Sequence, residues 1–404
     1  MKRLNALFII VTISGATIVS SCQSNAARRE ANRKKALAED SSEYTIGLSE
    51  TAREAILKSP RNVQLQRELS AFYDGKLLRT GFNGAILVAK KGVVLFEEYH
   101  GYENSRTKVP VTDSSAFQLA SVTKTFTGAA VLLLVQKQKL SLEDSLQKFF
   151  PDFPYKGINV RMLLSHRSGL PNYLYFCDSL WKDDKNFITN DEVIRLMTAH
   201  KPPVQHLPGT HFQYCNTNYL LLASIVEKVS GQKFSAFMQE NIFQPLHMTN
   251  TFVYDPASAP RPHQTQSHKY NGQFEPDTFL DGVMGDKGIY STARDMLKWD
   301  QALYSGKLLN AEMLKAAYTP YSNEKPGVRN YGLGWRMMVY PDSTKNIIYH
   351  NGWWHGNNTV FYRFVQDSTT LIILGNKYNR GIYQAVKPIR EMLGHGDGEE
   401  AGEE

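Results

Sequence analysis

The chain has 404 residues, of which 42% are apolar and 21% are charged, and its formal net charge is +7. These are the proportions of a folded globular protein, so wholesale disorder is excluded. The charge excess is too small to indicate nucleic acid as a partner. Three cysteines exclude a disulfide framework, and no C-x-x-C pair indicates structural zinc. The length fits one large domain or two of ordinary size.

Residues 1–21 have the pattern of a signal peptide. Lys2 and Arg3 precede an apolar stretch that is too short to span a bilayer, and small residues then lead to Cys22. This order resembles a bacterial lipoprotein signal, in which Cys22 becomes the lipidated first residue. Gln23 is compatible with sorting to the outer membrane. The pattern predicts an envelope protein that is anchored by lipid and faces the periplasm. The alternatives are an ordinary secretory signal with a stray cysteine, or an uncleaved anchor.

The next segments predict a tether, two helices and a hairpin. Residues 22–46 are mostly small, polar and charged, so they offer no core and predict a flexible tether. Helical patterns follow at Leu48–Leu57 and Val63–Leu78. Two apolar runs, Phe82–Ala89 and Val93–Tyr99, surround a Lys-Lys-Gly turn and therefore predict a β-hairpin.

The middle of the chain is helical in pattern, and the C-terminal quarter returns to β structure. The predicted helices are Phe126–Val135, Asp191–Thr198, Asn218–Val229, Ala293–Tyr304 and, at the end of the chain, Ile382–Leu393. The predicted strands are Gly334–Tyr340, Asn346–Trp353, Thr359–Val365 and Thr370–Leu374. The acidic residues from 394 to 404 predict a disordered tail.

Strand patterns at both ends, with helices between them, predict an α+β fold. We expect one antiparallel sheet built from N-terminal and C-terminal segments, flanked by helices, with an all-α lobe inserted at about residues 105–330. The domain so formed spans residues 81–393. A cleft between the sheet and the helical lobe is the natural place for a site.

Ser121 and Lys124 form an S-x-x-K motif at the start of a long apolar helix. The same pattern recurs elsewhere in the chain, but only this copy opens a buried helix. A spacing of three places the lysine on the same helical face as the serine, one turn along. Serine is a poor nucleophile at neutral pH and needs a partner to accept its proton, which a desolvated lysine can do. The alternative is a helix cap with a surface lysine.

Two further motifs lie downstream. Tyr214 and Asn216 form a Y-x-N at a loop-to-helix junction, where Lys124 could supply the cation that a tyrosine needs to act as a base. His350 and Gly352 form the chain's single H-x-G at the end of a predicted strand, where glycine permits a ligand backbone to approach. The alternatives are a buried tyrosine with a capping asparagine, and a structural histidine.

The order and setting of these three motifs resemble those of a serine hydrolase superfamily. It comprises class C β-lactamases, DD-peptidases, D-aminopeptidases and related esterases, which share a β-lactamase/transpeptidase-like fold. The resemblance covers residues 80–393 and implies Ser121 as nucleophile, Lys124 as its paired lysine and Tyr214 as acid and base. Further stretches that carry it are Leu163–Leu170, Tyr214–Tyr219, Gly288–Asp295 and Tyr331–Trp335. We interpret these as mainly scaffold, with His166 fixing a loop.

The mechanism implied is acyl transfer to water through a covalent acyl-enzyme. Ser121 attacks an amide or ester carbonyl, Lys124 and Tyr214 manage its proton, and the N–H groups of Ser121 and Trp353 hold the oxyanion. The residues predicted to position substrate are Asn216, His350, Gly352, Trp353 and Trp354. The mechanism needs no cofactor and no metal ion.

Two departures from the family pattern bear on function. The third motif is His-Asn-Gly where true β-lactamases carry Lys-Thr-Gly, and histidine clamps a substrate carboxylate less firmly than lysine. The sequence therefore favours a cell-envelope D-amino-acid peptidase or esterase, acting on a small amide, ester or peptide that includes peptidoglycan fragments. A true β-lactamase and a sensor that binds wall peptides without turnover are the alternatives. Cys215 replaces the usual serine or alanine; it either pairs with Cys177 or both remain buried thiols.

Overall fold

The structure is a computed structural model that describes residues 47–183, 185–341 and 346–396. Cys22, the predicted tether at 22–46 and the acidic residues from 397 onward lie outside these ranges. Within the ranges, no helix is both long enough and apolar enough to cross a membrane.

Helices make up the N-terminal segment, the middle and the C-terminus of the described chain. The α-helices are α1 (Glu50–Lys58), α2 (Pro60–Phe72), α3 (Thr123–Gln136), α4 (Leu146–Phe149), α5 (Val160–Leu164), α6 (Tyr173–Leu180), α7 (Asn190–His200), α8 (Thr217–Ser230), α9 (Phe234–Met238), α10 (Ala293–Ser305), α11 (Ala311–Ala317), α12 (Gly381–Gln384) and α13 (Val386–Met392). Short 3₁₀ turns occupy Leu78–Thr80, Ala120–Val122 and Phe279–Gly282, and π-helical turns occupy Tyr73–Leu77 and Gln239–Phe243.

The strands form two antiparallel sheets. They are β1 (Gly84–Lys90), β2 (Val93–His100), β3 (Phe117–Gln118), β4 (Phe252–Val253), β5 (Ile289–Ser291), β6 (Arg329–Tyr331), β7 (Arg336–Met338), β8 (Ile347–Trp354), β9 (Asn357–Phe364) and β10 (Thr369–Gly375). The main sheet has the order β2-β1-β10-β9-β8-β7-β6, and β3-β5-β4 form a small second sheet. The N-terminal hairpin thus pairs with the last strand of the chain, which confirms the predicted α+β architecture.

Both faces of the main sheet are covered, and the alternation of side chains along its strands shows how. In β1, Ile86 and Val88 pack into one apolar cluster together with residues of α1, α2, α12 and α13. Their neighbours Ala85 and Leu87 point to the other face and join the larger cluster that contains α3, α8 and α10. A strand buried on both faces is apolar at every position, because successive side chains point to opposite sides.

The predicted helices match α1, α3, α7, α8 and α10 within three residues at each end. Side-chain caps help to fix where several of them start, because the first amides of a helix lack partners within it. Ser49 caps α1, a reciprocal Thr189–Glu192 capping box starts α7, and Thr292 accepts a hydrogen bond from the Asp295 amide at α10. The Asp295 carboxylate accepts from the Asn250 amide, so α10 has the Thr292 cap without a reciprocal box.

Several boundaries differ from the sequence prediction. The helix predicted at Val63–Leu78 is α2 followed by a π-helical turn and a 3₁₀ turn, and the final helix is divided into α12 and α13. The strand predicted at Gly334–Tyr340 is reduced to β7, because the left-handed φ of +93° at Gly334 belongs to a turn. The ordered chain also continues past Leu393, since the His395 ring stacks on Phe364 at 4.3 Å.

Candidate active site

Ser121 lies in the 3₁₀ turn Ala120–Val122, directly before helix α3. The residue that precedes it, Ala120, is fully buried and has a φ of +47°, in the left-handed region that non-glycine residues rarely adopt. Such strained backbone persists only where the surrounding structure holds it, and it is concentrated at functional sites. The turn presents Ser121 to a cavity of about 1020 Å³.

Lys124 stands one helical turn after Ser121 and is completely buried. Its Nζ donates to Ser121 Oγ at 3.0 Å and to the backbone carbonyl of Asp286 at 2.8 Å. The alternative of a surface lysine is therefore excluded. A buried amine within hydrogen-bonding distance of a serine hydroxyl is the geometry that an activated nucleophile requires.

The scaffold motifs of the sequence pack around this helix. Gly334 belongs to the stretch Tyr331–Trp335, and a Cβ at this position would lie 3.0 Å from the Lys124 carbonyl oxygen. The Gly334 amide also donates to the carbonyl of Leu164. The close approach fixes the first turn of α3 and so the position of the Lys124 side chain.

The third motif, which contains His350 and Gly352, lies against the turn that carries Ser121. A Cβ at Gly352 would lie 2.4 Å from the Leu119 carbonyl oxygen and 2.3 Å from Thr359 Oγ1. The sequence predicted that this glycine admits a ligand backbone. The structure shows that it also admits the turn carrying Ser121, because no larger residue fits between β8 and that turn.

Tyr214 comes from the distant Y-x-N motif, and its ring lines the cavity together with Ser121. Lys124 Nζ lies 5.0 Å from the centre of the Tyr214 ring. The Tyr214 hydroxyl is buried and has no hydrogen-bond partner within the described chain. The three predicted catalytic side chains are thus neighbours, although they are spread over more than 90 residues of sequence.

The residues predicted to position substrate divide into two groups. Asn216, Gly352, Trp353 and Trp354 all line the cavity. Asn216 is the N-cap residue of α8, but its side chain makes no capping hydrogen bond. The Asn216 side chain therefore does not cap α8, which was the alternative role that the sequence left open.

His350 is different, because its ring is fully buried and is not part of the cavity lining. One ring nitrogen lies 3.1 Å from the Tyr331 hydroxyl, and the other lies 2.7 Å from the Asn351 carbonyl oxygen. Burial, together with the nearby cations of Arg336 and Lys124, holds the pKa of His350 well below its ordinary value. The position and the neutral charge of His350 do not support the expected contact with substrate.

Arg336 is a cation at the cavity that was not among the residues predicted from the sequence. Arg336 is on β7 and lines the cavity, and its guanidinium carbon lies 5.0 Å from the centre of the Tyr214 ring. The Nε atom is buried and unpaired, and no side-chain hydrogen bond or ion pair of Arg336 is found among the described residues. Guanidinium groups that are removed from solvent are ordinarily paired with an anion. Because Arg336 has no such partner among the described residues, its guanidinium is available to bind the anionic group of a ligand. The only sign of Arg336 in the sequence was a single charged residue inside an otherwise apolar predicted strand.

A second missed group contains Asp286, Lys287 and Tyr173, on the wall next to Lys124. Lys287 Nζ donates to the Tyr173 hydroxyl at 2.6 Å, and that hydroxyl donates to Asp286 at 2.9 Å. Burial lowers the pKa of Lys287, although the two nearby carboxylates of Asp286 and Asp281 oppose the shift. These hydrogen bonds hold Asp286 in place, and the backbone carbonyl of Asp286 accepts a hydrogen bond from Lys124 Nζ.

At the wall of the cavity, the β8–β9 turn contacts the 3₁₀ turn at Phe279–Gly282. Asp281 accepts from Trp354 Nε1 at 2.6 Å, and its second oxygen lies 2.9 Å from His355 Nε2. Burial alone would lower the pKa of His355, but the hydrogen bond to Asp281 and its charge outweigh burial and raise it. The two residues that follow Trp353 are therefore anchored independently of substrate.

Cys177 and Cys215 are both buried, free thiols, so the disulfide that the sequence left open does not form. Cys215 Sγ donates to the Leu170 carbonyl at 3.3 Å. Burial raises the pKa of Cys215 to about 11 and that of Cys177 to about 12, so both remain protonated at neutral pH.

A seven-stranded antiparallel sheet, an inserted helical region and a serine paired with a buried lysine at a cavity between them define a serine hydrolase. The Beta-lactamase family model matches residues 71–389, and the chain belongs to this family. Penicillin-binding protein 4* of Bacillus subtilis (strain 168) is 32% identical over 327 residues, covering 76% of this chain and 72% of that protein.

Solved structures agree with this assignment. The penicillin binding protein from Bacillus halodurans superimposes with a TM-score of 0.70 at 25% identity, covering 80% of this chain and 98% of the other. The D-amino acid amidase from Ochrobactrum anthropi SV3, complexed with L-phenylalanine amide, gives a TM-score of 0.69 at 25% identity, with 82% and 99% covered. The chain therefore has the β-lactamase/transpeptidase-like fold and is a serine hydrolase.

Proposed function

We propose that this protein cleaves amide bonds next to D-amino acids, in peptides that end in a free carboxylate, through an acyl-enzyme on Ser121. The observation that carries the proposal is the 3.0 Å hydrogen bond from Lys124 Nζ to Ser121 Oγ at the wall of the cavity. The similarity to penicillin-binding proteins and to a D-amino acid amidase supports an amide as the scissile group.

In the acylation step, Ser121 Oγ bonds to the substrate carbonyl carbon while its proton passes to Tyr214, either directly or by relay through Lys124. The N–H groups of Ser121 and Trp353 hold the oxyanion that forms. Tyr214 then donates a proton to the leaving amine as the amide bond breaks. Lys124 and Arg336 both face the Tyr214 ring. Their positive charge stabilises the negative charge that the tyrosine oxygen carries when Tyr214 acts as a proton acceptor.

In the deacylation step, water attacks the acyl carbon and gives up its proton through the same groups, which restores the Ser121 hydroxyl. Nothing besides protein side chains, substrate and water takes part.

The free edge of β8 supports a peptide as substrate. Strand β7 pairs with β8 through residues 347–349, and no other described strand pairs with that edge of residues 350–354. Unpaired backbone groups on a strand edge bind an extended peptide by adding it to the sheet. Asn216 across the cavity can hydrogen-bond the peptide from its other side.

Arg336 supports a carboxylate-terminated substrate over a neutral ester. A guanidinium binds a carboxylate through two parallel hydrogen bonds, and Arg336 is the cavity cation without an internal partner that lies beside Tyr214. Penicillins also carry a carboxylate beside a reactive amide. The same contact therefore makes acylation by penicillin a second candidate activity.

We further propose that the protein acts in the bacterial cell envelope, anchored through lipidated Cys22. The charge, apolar stretch and cysteine of residues 1–22 support this location. Globomycin should leave the protein with its signal attached, seen as a mass increase. A soluble mature protein that carries no lipid would contradict the anchor.

A panel of four substrates tests the activity: a D-alanyl-D-alanine peptide, D-alanine anilide, nitrocefin and a short-chain nitrophenyl ester. The proposal predicts the highest kcat/KM for the peptide. A preference for the nitrophenyl ester by more than tenfold would contradict it, and a preference for nitrocefin would assign the protein to the β-lactamases proper.

A further inference from the structure

His166 lies beside Tyr214 and holds both of the residues that flank Tyr214 in the chain. The Gln213 amide donates to the His166 carbonyl at 2.8 Å, and the Cys215 amide donates to His166 Nδ1 at 3.1 Å. The backbone of Tyr214 is therefore fastened on either side to a single residue of another loop.

The His166 ring also packs against the Tyr214 ring, with the ring centres 4.3 Å apart and the planes at an angle of 39°. His166 is fully buried and does not line the cavity, so it cannot touch a substrate that binds there. Of the described rings that pack around His166, Tyr214 is the one that lines the cavity. An effect of His166 on the reaction must therefore act through Tyr214.

The hydrogen bonds of His166 define which of its ring nitrogens carries the proton. Nδ1 lies 3.2 Å from Asn218 Nδ2, in addition to the Cys215 amide. Asn218 Oδ1 accepts from Ser168 Oγ at 2.6 Å, which leaves the amide nitrogen of Asn218 to face His166. Two donors at Nδ1 require an unprotonated acceptor, so this network assigns the proton of the neutral ring to Nε2.

The surroundings of His166 keep its ring neutral. Burial, followed by the nearby charge of Lys124, holds the pKa of His166 well below its ordinary value. A charged ring would carry a hydrogen on Nδ1, and that hydrogen would face the Cys215 amide instead of accepting from it. Neutrality therefore preserves the hydrogen bond that fixes the chain next to Tyr214.

The backbone of His166 is strained, like the backbone next to the nucleophile. His166 has a φ of +56°, in the left-handed region, and Ala120, directly before Ser121, has a φ of +47°. Strain of this kind persists only where the surrounding structure holds it, and it is concentrated at functional sites. The residues that present Ser121 and Tyr214 thus share this feature.

We propose that His166 is a positioning residue that holds the Tyr214 phenol where it can exchange protons with Ser121 and the leaving group. The sequence assigned His166 only to the fixing of a loop. A positioning role goes further, because it places the effect on turnover while substrate binding stays unchanged. The inference rests on the proposed function, since it needs Tyr214 to be the group that moves protons.

Two substitutions separate the acceptor of His166 from its ring. His166→Phe keeps a ring but removes the acceptor, whereas His166→Asn removes the ring, places Oδ1 where Nδ1 was and tolerates a left-handed φ. With a D-alanyl-D-alanine peptide, we expect His166→Phe to lower kcat by about tenfold to a hundredfold and to leave KM within about twofold, because the unpartnered Cys215 amide forces the chain beside Tyr214 to move. His166→Asn should keep kcat within about fivefold of wild type.

His268→Phe is the matched control, because His268 Nε2 accepts from the Ser105 amide at 3.1 Å and His268 does not line the cavity. This variant should lower the melting temperature and leave kcat within about threefold. The double variant of His166→Phe with Tyr214→Phe shows what the effect acts through. It should have the kcat of Tyr214→Phe alone, since the position of a ring that has lost its hydroxyl no longer matters.

The outcomes separate the positioning role from the proposed function. If Tyr214→Phe lowers kcat but His166→Phe does not, the positioning role is overturned while the proposed function stands. An equal loss from His166→Phe in the wild-type and Tyr214→Phe backgrounds would overturn it too, as would a His166→Asn enzyme as slow as His166→Phe. If Tyr214→Phe has normal kcat, the catalytic role proposed for Tyr214 fails and the positioning role fails with it.

A measurement on the unaltered protein covers the case in which His166→Phe does not fold. Nitrogen NMR of protein labelled with ¹⁵N in its histidines reports which ring nitrogen carries the proton at pH 7. A His166 ring with its proton on Nε2 would support the positioning role. A proton on Nδ1 would overturn it, because Nδ1 could then not accept from the Cys215 amide.

Discussion

The guanidinium carbon of Arg336 lies 5.0 Å from the centre of the Tyr214 ring. Lys124 Nζ lies at the same distance from that ring, so two cations face one phenol whose hydroxyl has no partner among the described residues. This arrangement joins a residue that the sequence identified to one that it missed. It also separates two roles, since Lys124 contacts the nucleophile and Arg336 lines the cavity.

Tyr214→Phe should lower kcat by about 10²–10⁴ without lowering the melting temperature, because the hydroxyl that is removed moves a proton but makes no structural hydrogen bond. Tyr219→Phe is the matched control. Tyr219 donates to the Leu164 carbonyl at 2.7 Å, so its loss should cost about 1 kcal/mol of stability and leave kcat within a few fold. Steady-state kinetics and thermal melts measure both effects, and a Tyr214→Phe enzyme with normal kcat would remove Tyr214 from the mechanism.

Arg336→Gln should raise KM for a D-alanyl-D-alanine peptide by about tenfold to a hundredfold, since a hydrogen bond to a charged group contributes about 1.5–3 kcal/mol. Arg336→Lys should recover part of the loss, because it restores the charge but not the two-pronged geometry. Amidation of the peptide's C-terminus should produce a similar rise in the wild type and little further change in Arg336→Gln. Arg195→Gln, on the exposed face of α7, serves as control. Equal effects of Arg336→Gln on the free and amidated peptides would argue against the carboxylate contact.

Gly352→Ala should lower the melting temperature and prevent acylation. A Cβ at this position would overlap the Leu119 carbonyl oxygen and Thr359 Oγ1, so either β8 or the turn that carries Ser121 must move. Gly75→Ala is a suitable control, because a Cβ there meets no atom within 4 Å and its backbone is not left-handed. Labelling by a fluorescent penicillin reports acylation. A Gly352→Ala protein that labels at the wild-type rate would show that the turn does not depend on this contact.

The His355–Asp281 pair should give a pH-dependent contribution to stability. The pKa of His355 is raised above its ordinary value of 6.5, so its contribution is complete below pH 6.5 and is lost as the pH rises through the raised value. The pKa of Asp281 is lowered below 3.8, so its contribution is complete above pH 3.8 and is lost as the pH falls through the lowered value. The melting temperature of His355→Gln should therefore fall furthest below wild type between about pH 4 and 6.5. A deficit that grows from pH 7 to 9 would have the wrong sign for this ion pair.

The sequence predicted most of what is regular in this structure. Helix α3 is a continuous apolar run, helix α8 is amphipathic and well bounded, and strands β1 and β10 are apolar through their centres, so their pattern alone determined their type. The S-x-x-K and Y-x-N motifs could be assigned because their residue types match an activated nucleophile. The small β3-β5-β4 sheet was missed because strands of two or three residues leave no periodic signal.

The roles of His350 and Arg336 could not be read in the same way. A histidine at the end of a strand has no sequence signal for burial, and its neutrality arises from cations that other segments bring near it. Arg336 is adjacent to Trp335 in the chain and reaches the site through pairing between β7 and β8. Both assignments depend on tertiary neighbours, which one sequence does not specify.

The most direct test of the account is where a fluorescent penicillin becomes attached. After a brief reaction, we expect intact mass to increase by one acyl group and peptide mapping to locate that group on Ser121. Ser121→Ala should show no adduct. Ser145→Ala, which alters an exposed serine in another S-x-x-K, should label normally. Attachment at any other residue, or an adduct that persists in Ser121→Ala, would contradict the central claim that Lys124 makes this one hydroxyl reactive.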